Sequence, residues 1–510
     1  MPASVKKRFA VSFASNALRA GLSFLAGLVV ARGLGPGDYG RLMFLLGSFV
    51  SIKSLLDLGT SNAFYTFISQ AKRPLRYYSF YLLWLAVQFL VTAAAVALLL
   101  PDSVVRGMWV GEGRGIILLA FAASFFQQQL WQTVNQIAEA ARKTVRVQGL
   151  NLAIALTYLA GVYLLTHYGA LSVKTVLLLL ALQYLAAVLA AFRVLGPAEP
   201  GAEEGHETLG AMLKKYRDYC APLAALSAAT FLYDFADKWM LQRFGGAMQQ
   251  GFYQVAYQFA AISVLATASI LNIFWKEIAE ALKLKNMERV GMLFRKVSRG
   301  LYMFGAIVSG FLIPWSREIV AVFLGPQYAS AAAVLGLMFV FPLHQSLGQI
   351  GSTMLLAAER TRLYLSISVT IMIANFPVTY LLLAQPGGAL PGLGLGAMGM
   401  ACKMVFLNMI AVNVIFWLIA RSYGWKFDWF WQAAGLGLAL AAGALAKLAA
   451  AQVFGPLEGG AGLELLPPFL LAGALYLAAM YFLLRAMPWL AGLEKAELDG
   501  YLRKLRLPLP

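Results

Sequence analysis

About fourteen apolar runs, each roughly 20 residues or longer, dominate this 510-residue chain. A helix of that length spans the hydrocarbon core of a bilayer, and a backbone in lipid must satisfy its own hydrogen bonds. Hydrophobic residues make up 60% of the chain, charged residues 13%, and the mean hydropathy is +0.71. We therefore predict an all-α polytopic membrane protein with about 14 transmembrane helices. The runs begin near Phe9, Leu42, Tyr77, Gly115, Val147, Val173, Tyr219, Phe252, Leu301, Ala329, Leu363, Leu395, Trp429 and Leu466.

The basic residues of the loops predict the orientation. Most of the 41 Lys and Arg residues fall in alternate connections, counted from the N-terminus. Because Lys and Arg concentrate in cytoplasmic loops, both termini are predicted to be cytoplasmic and the number of spans to be even. This distribution also accounts for the net charge of +18 without a nucleic-acid partner.

A polar stretch divides the chain in two. Residues 196–207, G-P-A-E-P-G-A-E-E-G-H-E, are acidic and rich in Gly and Pro, which is typical of a linker. We predict two six-helix lobes around a central cavity plus two extra C-terminal helices. The predicted parts are an N-lobe of helices 1–6 over residues 1–195, a cytoplasmic linker over 196–216, a C-lobe of helices 7–12 over 217–420, appended helices 13 and 14 over 421–486, and a cytoplasmic tail over 487–510.

Two short stretches indicate that the lobes are repeats. Residues 31–40, A-R-G-L-G-P-G-D-Y-G, follow the first predicted helix, and residues 242–253, Q-R-F-G-G-A-M-Q-Q-G-F-Y, follow the seventh. Each contains Arg, then an apolar residue and Gly, then a turn that closes on Gly beside an aromatic residue. The pattern predicts that both lobes enter their second helix through a tight outer turn.

The same stretches, with others in order along the first twelve helices, resemble a known family. The further motifs are L-D-L-G-T-S-N-A-F at 56–64, D-K-W-M-L-Q-R-F-G-G at 237–246, V-F-L-G-P-Q-Y-A-S-A-A-A-V-L at 322–335 and G-L-G-A-M-G-M-A at 394–401. Together they resemble the polysaccharide transporters (O-antigen, Wzx-type flippases) of the multidrug/oligosaccharidyl-lipid/polysaccharide exporter superfamily.

The resemblance implies a transporter rather than an enzyme. Such a protein would move undecaprenyl-diphosphate-linked oligosaccharide from the cytoplasmic to the periplasmic leaflet of the bacterial inner membrane by alternating access. The cargo would serve O-antigen or exopolysaccharide biosynthesis, with membrane lipids, a polysaccharide polymerase and chain-length proteins as candidate partners. The resemblance does not identify the sugar.

Basic residues inside the predicted spans are the candidate substrate site. A charge at mid-membrane costs ~2.5–3.5 kcal/mol on insertion scales, so it normally faces protein or a wet cavity. A lipid diphosphate needs cations where water is scarce. Arg19, Lys53, Lys238 and Lys403 are the candidates, and Arg19 ranks first because no acidic residue lies within a helical turn of it. Lys447, in helix 13, is predicted to snorkel or to make a packing contact.

Carboxylates close to these cations have two interpretations. Lys53 and Asp57 lie four residues apart, as do Asp234 and Lys238, so each pair shares one helix face. They are either structural ion pairs or, together with Asp237, charge-balancing or coupling sites for H⁺ or Na⁺. We predict no metal site and no other cofactor.

His344 is a further polar candidate within a span. It either lines the cavity or joins an interhelical hydrogen-bond network with its polar neighbours.

Two other functions compete with lipid flipping. A multidrug or cation exporter of the same superfamily would use carboxylates in a cavity without excess cations, so the surplus of buried Lys and Arg argues against it. A membrane polymerase or glycosyltransferase is less favoured because the sequence contains no large periplasmic loop, D-x-D motif, P-loop or cluster of metal ligands.

Overall fold

The computed structural model describes residues 3–196, 208–265, 268–388, 390–457 and 462–504. These residues form α-helices with short 3₁₀ and π segments and contain no strand. The prediction of an all-α polytopic membrane protein is confirmed. The chain divides into two compact units, residues 1–251 and 252–510.

The first unit is built around one long helix. Helix α1 packs against α5, α7, α8 and α9, and α9 also packs against α2. Buried aromatic and aliphatic side chains, among them Phe44, Leu45 and Phe49, form its interior along α1. The helices of this unit are α1 (Ala3–Asp57), α2 (Thr60–Gln70), α3 (Leu75–Ala94), α4 (Asp102–Met108), α5 (Arg114–Phe125), α6 (Trp131–Ala140), α7 (Thr144–His167), α8 (Val173–Leu195), α9 (Leu209–Met240) and the start of α10 (Gly246–Leu265).

The two repeated sequence stretches adopt the same backbone conformation. Gly35 has φ 75° and ψ 168°, and Gly246 has φ 82° and ψ 172°. Side chains other than hydrogen rarely tolerate positive φ, so glycine allows both breaks. At Gly35 the break kinks α1 between the first two predicted helices, and at Gly246 it separates a π segment from α10. Both stretches therefore break the helix at an equivalent glycine, as the repeated sequence pattern predicts.

These two turns also pack against each other reciprocally. A Cβ on Gly40 would collide with the backbone carbonyl oxygen of Ala247, and a Cβ on Gly251 would collide with that of Pro36. The repeat relates the two contacts to each other, because Gly40 corresponds to Gly251 and Pro36 to Ala247, each 211 residues further along the chain. Only hydrogen-sized side chains allow the backbones to approach so closely. The closing glycines of the motif are therefore required for packing as well as for turn geometry.

In the second unit, the last two apolar helices, α18 and α19, pack against each other and against α12. Helix α12 packs against α15 and α18, and α18 packs against α19. Tyr302 of α12 donates a hydrogen bond to the Gln432 carbonyl (3.0 Å), and Tyr476 of α19 donates one to the Ile307 carbonyl (2.7 Å). Its helices are α11 (Ala268–Lys283), α12 (Met287–Leu312), α13 (Ser316–Phe323), α14 (Ala331–Met338), α15 (Phe341–Ala357), α16 (Thr361–Leu383), α17 (Gly396–Tyr423), α18 (Phe430–Phe454), α19 (Leu466–Ala486) and α20 (Lys495–Lys504), after the remainder of α10.

Each predicted apolar run coincides with helix, but fewer helices pass a test of length and hydropathy. Nine helices in the described residues are long and apolar enough to cross a membrane, or ten if α12 and α13, which meet at a 70° bend, form one span. Fourteen crossings therefore stay a prediction. So do the lobe boundaries, because residues 197–207 of the predicted linker and 505–510 of the tail lie outside the described residues.

The reciprocal glycine contact predicts a clear difference between neighbouring glycines. Replacing Gly40 with Ala should destabilise the protein by about 1–3 kcal/mol, because the new methyl group must displace backbone rather than a flexible side chain. Gly37→Ala is the matched control, since a Cβ on Gly37 would meet no heavy atom of the described residues outside its own turn within 4 Å. Chemical denaturation of the purified variants in mixed micelles measures both effects. Equal stability of the two variants would contradict the close contact.

Candidate functional site

Arg19 lines a polar pocket inside the first unit. The pocket has a volume of about 220 Å³ and lies between α1, α7, α8 and the junction of α5 with α6. That junction is a π segment, Phe126–Leu130, and such insertions in helices often mark functional sites. The pocket walls are polar and aromatic, and are formed by Ser23, Gln127, Trp131, Asn151, Tyr158, Gln183 and Tyr184, together with the apolar Leu46, Ile154, Ala155 and Leu180.

Hydrogen bonds hold the polar wall of this pocket in place. The indole nitrogen of Trp131 donates to Asn151 Oδ1 (2.8 Å), and Asn151 Nδ2 donates to Asn135 Oδ1 (2.9 Å). Gln127 Nε2 donates to the Tyr184 hydroxyl (3.1 Å). Since each bond joins two helical segments, the wall is a preformed network rather than a set of mobile side chains.

Arg19 is the charged member of this pocket. Its guanidinium forms no hydrogen bond or ion pair with any described residue, and the residue is exposed. The other residues that line the pocket are neutral. A guanidinium presents up to five N–H donors in a fixed planar fork that matches phosphate oxygens. This part of the structure can therefore bind an anion without first breaking an internal ion pair.

Lys53 and Asp57 do not form the ion pair that their spacing suggests. Helix α1 ends at Asp57, where Leu58 and Gly59 take positive φ values of 47° and 86°. The Asp57 carboxylate instead accepts hydrogen bonds from the Thr60 hydroxyl (2.9 Å) and from the Ser61 backbone N–H and hydroxyl (both 2.8 Å). Within the described residues Lys53 forms no salt bridge and is half-buried. Asp57 thus stabilises the first turn of α2.

Lys238 of α9 reaches across to α1. Its ammonium donates to the Ser51 hydroxyl and to the backbone carbonyl of Asp234, both at 3.0 Å. A Cβ on Gly47 would lie 2.9 Å from Lys238 Cδ, so the glycine makes room for the lysine stem. Asp237, one residue before it, is buried. Lys238 therefore contacts α1 two positions before Lys53, and neither lysine lines the Arg19 pocket.

The remaining sequence candidates lie in the second unit. Lys403 of α17 is only 2% exposed. His344 of α15 is buried, contacts the Tyr302 ring edge-on at 5.8 Å and lines an apolar cavity of about 680 Å³. Asn413 and Gln432 line the same cavity and bond to each other through both amide groups (3.1 and 3.3 Å).

Lys447 is an internal ion-pair partner rather than a snorkelling side chain. Its ammonium donates to Glu318 Oε1 (2.6 Å) and to the Pro314 carbonyl (2.7 Å), and lies over the Trp315 ring. The Glu318 side chain is 8% exposed. The pair joins α18 to α13. Removal of either partner would leave an uncompensated buried charge.

Sequence reasoning missed most of the Arg19 pocket. Its polar wall comes from three separate helical regions, which no local spacing connects. One signal was present: Q-Q-Q-L-W at residues 127–131 interrupts an otherwise apolar run with three amide side chains. Polar residues inside a span usually face protein or a cavity rather than lipid.

Comparison with protein families gives one match that covers half of the chain. Residues 5–274 match the model of a family described as polysaccharide biosynthesis protein. Among curated proteins, none matches the sequence significantly.

Several solved transporter structures share the fold. A lipid II flippase MurJ in an inward closed conformation aligns with a TM-score of 0.67 at 13% identity, over 94% of this chain and 99% of that chain. An inward-facing multidrug resistance MATE family transporter of the MOP superfamily aligns with a TM-score of 0.61 at 13% identity, over 79% and 95%. A MOP superfamily transporter from Pyrococcus furiosus gives 0.54 at 14% identity, over 82% and 96%. The chain therefore has the fold of the MOP superfamily transporters.

The geometry around Asp57 predicts how the charges of Lys53 and Asp57 contribute to the free energy of unfolding. Asp57→Ala should lower the free energy of unfolding by about 0.5–2 kcal/mol, because α2 loses its capping acceptor. A double-mutant cycle with Lys53→Met should give an attractive coupling energy below about 1 kcal/mol, since no salt bridge joins the side chains but their opposite charges attract at longer range. Denaturant titration in mixed micelles measures all four proteins. A coupling energy well above about 1 kcal/mol would contradict this assignment and restore the ion pair.

Proposed function

The chain belongs to the polysaccharide biosynthesis protein family, and from that premise we propose that it is a lipid flippase. Its cargo is undecaprenyl-diphosphate-linked oligosaccharide, which it moves from the cytoplasmic to the periplasmic leaflet of the bacterial inner membrane by alternating access. The product supplies O-antigen or exopolysaccharide biosynthesis, and a polysaccharide polymerase and chain-length proteins are the partners that receive it.

The Arg19 pocket is the observation that carries this proposal. A lone guanidinium in a neutral polar pocket, on a helix with the length and hydropathy of a membrane span, attracts an anion. Phosphate is recognised well by the guanidinium fork, and the interaction strengthens where water is scarce. We assign Arg19 to the diphosphate, with Lys53, Lys238 and Lys403 as further cations along the path. We assign Asp234 and Asp237 to charge balance, together with Asp57, whose carboxylate bonds to Thr60 and Ser61 and attracts Lys53 only at longer range.

The apolar cavity of the second unit supports a cargo with a lipid tail. It is lined largely by aliphatic and aromatic side chains of α14, α15, α17 and α18, including Val405, Phe406, Ile410 and Trp417. A polyprenyl chain requires such a surface, because its many CH₂ and CH₃ groups gain free energy when they leave water. His344, Asn413 and Gln432 supply the few polar groups of this cavity.

Multidrug or cation export is the competing function. The fold is shared with MATE transporters, so fold alone does not separate the two. An organic cation would have to bind beside Arg19 in a pocket whose other lining residues carry no charge. Charge repulsion by the guanidinium disfavours that ligand.

Arg19→Gln should reduce flipping of the lipid-linked oligosaccharide by about 10- to 150-fold, because the variant loses a charged hydrogen-bond donor worth about 1.5–3 kcal/mol. Flipping can be measured in proteoliposomes with fluorescently labelled lipid-linked oligosaccharide. Arg106→Gln is the matched control, since the Arg106 side chain is 71% exposed on α4. The Arg106→Gln variant should transport the labelled lipid at the wild-type rate.

The lysine on α9 extends this test. Lys238→Gln should also reduce transport, because we assign Lys238 to the same cationic path as Arg19. Full export by both charge-neutral variants, with normal insertion into the membrane, would overturn the cationic site. Transport of organic cations in place of the lipid would favour multidrug export.

We also propose that the membrane potential contributes to export. A diphosphate diester carries about −2 charges, so outward movement through an inside-negative potential of ~100 mV releases roughly 4–5 kcal/mol if the full field is crossed. In proteoliposomes with right-side-out protein, a potassium gradient with valinomycin should raise the outward rate when the interior is negative and lower it when the polarity is reversed. A rate that depends only on a H⁺ or Na⁺ gradient would replace the potential with a coupling ion.

A further inference from the structure

The pocket beside Arg19 is lined by more hydrogen-bonding side chains than an anion alone requires. The guanidinium occupies one side, while Gln127, Asn151 and Gln183 present carboxamides on the others. We propose that this wall is a subsite for a single pyranose ring, the sugar attached directly to the diphosphate. The proposal rests on the function proposed above, because it assigns the ring to the same cargo whose phosphate contacts Arg19.

Gln183 provides the strongest evidence for a ligand at this wall. Its Nε2 donates to the backbone carbonyl of Ile154 at 2.6 Å, which orients the side chain. Its Oε1 is buried and has no hydrogen-bond partner among the described residues. A buried acceptor without a donor is unfavourable, so rotation of this carboxamide toward a ligand hydroxyl group in the pocket would recover the missing hydrogen bond.

The neighbouring amide and aromatic groups fit the same ligand. Asn151 is held by Trp131 on one side and Asn135 on the other, and Gln127 is bonded to the Tyr184 hydroxyl. The rings of Trp131 and Tyr184 lie 6.5 Å apart at 52°, so they present two differently oriented faces. A pyranose offers hydroxyl groups to carboxamides and C–H faces to aromatic rings. This combination distinguishes it from a second phosphate, which would require another cation.

The volume limits the ligand to one ring. At about 220 Å³ the pocket is smaller than the ~300–1,000 Å³ typical of sites for drug-sized ligands. It corresponds to roughly seven water molecules at ~30 Å³ each. An oligosaccharide of several rings does not fit, whereas one ring does. Since Arg19 borders the pocket, the ring that enters is the one nearest the diphosphate.

Binding of two defined lipids tests the subsite. The probes are undecaprenyl diphosphate carrying one glucose and undecaprenyl diphosphate without sugar, each titrated into the protein in nanodiscs. The wild type should bind the sugar-bearing lipid about 3- to 10-fold more tightly, as expected for one or two neutral hydrogen bonds. In Gln183→Met, which removes the carboxamide and keeps the chain length, this ratio of affinities should fall close to one.

Gln148→Met is the matched control. Gln148 also has a buried Oε1 without a partner among the described residues, but it does not line the pocket. This variant should keep the wild-type ratio, so a loss specific to Gln183 cannot come from general destabilisation. Thermal unfolding of both variants checks that they are folded.

Two outcomes overturn the subsite: a wild-type ratio of one, or an unchanged ratio in folded Gln183→Met. Failure of the proposed function would instead be seen in the affinities of the Arg19→Gln variant for the two lipids. If Arg19→Gln binds the sugar-free lipid as tightly as the wild type, the anion site is wrong, whereas the sugar subsite is still judged by the ratio. If Arg19→Gln weakens both lipids and keeps a ratio above one, both proposals stand.

Discussion

The first unit depends on a contact in which two backbones touch with no side chain between them. Gly40 lies against the carbonyl of Ala247, and Gly251 lies against that of Pro36, so the contact is formed twice by equivalent positions of one repeated turn. It holds the second half of α1 close to the start of α10. That half of α1 carries Leu46 into the Arg19 pocket and Ser51 to the Lys238 ammonium. A methyl group at either glycine would separate the two turns, so a packing requirement is connected directly to the position of the candidate site.

The charged side chains discussed above fall into two groups: those that bond to other groups of the protein and those that do not. Lys238 and Lys447 donate to protein oxygens at 2.6–3.0 Å, and Asp57 accepts from the first turn of α2. These groups are compensated internally, which lowers the cost of carrying them in membrane helices. Arg19 has no such partner among the described residues. Under the function proposed above, its guanidinium can bind an anion without first giving up an internal hydrogen bond, unlike the ammonium of Lys238. Charge alone, which the four sequence candidates share, does not make this distinction.

The sequence was sufficient to predict the helices and the repeated turns, since both depend on local pattern. Apolar runs of spanning length became helices, and Gly35 and Gly246 took matching conformations. The pairing of Lys53 with Asp57 failed for a local reason: both residues lie in α1, but the helix ends at Asp57, whose carboxylate accepts hydrogen bonds from Thr60 and Ser61 at the start of α2 instead. The pairing of Lys447 with Glu318 spans 129 residues, and the wall of Gln127, Asn151 and Gln183 spans three helical regions. Such groups meet only through tertiary packing. Whether Lys403 acts with Arg19 stays a prediction.

A transport site must release its cargo as well as bind it, and this requirement fits a pocket with one cation. A charge-assisted hydrogen bond contributes about 1.5–3 kcal/mol, or roughly 10- to 150-fold in affinity. Several unpaired cations in one pocket would retain a diphosphate through every conformation. A single guanidinium with a neutral carboxamide wall gives directional contacts whose total affinity is moderate. A conformational change moves cargo only if the ligand binds the two states differently. Under the function proposed above, small movements of α7 or α8 relative to α1 would separate the carboxamides from Arg19, so a wall shared among helices would provide that difference.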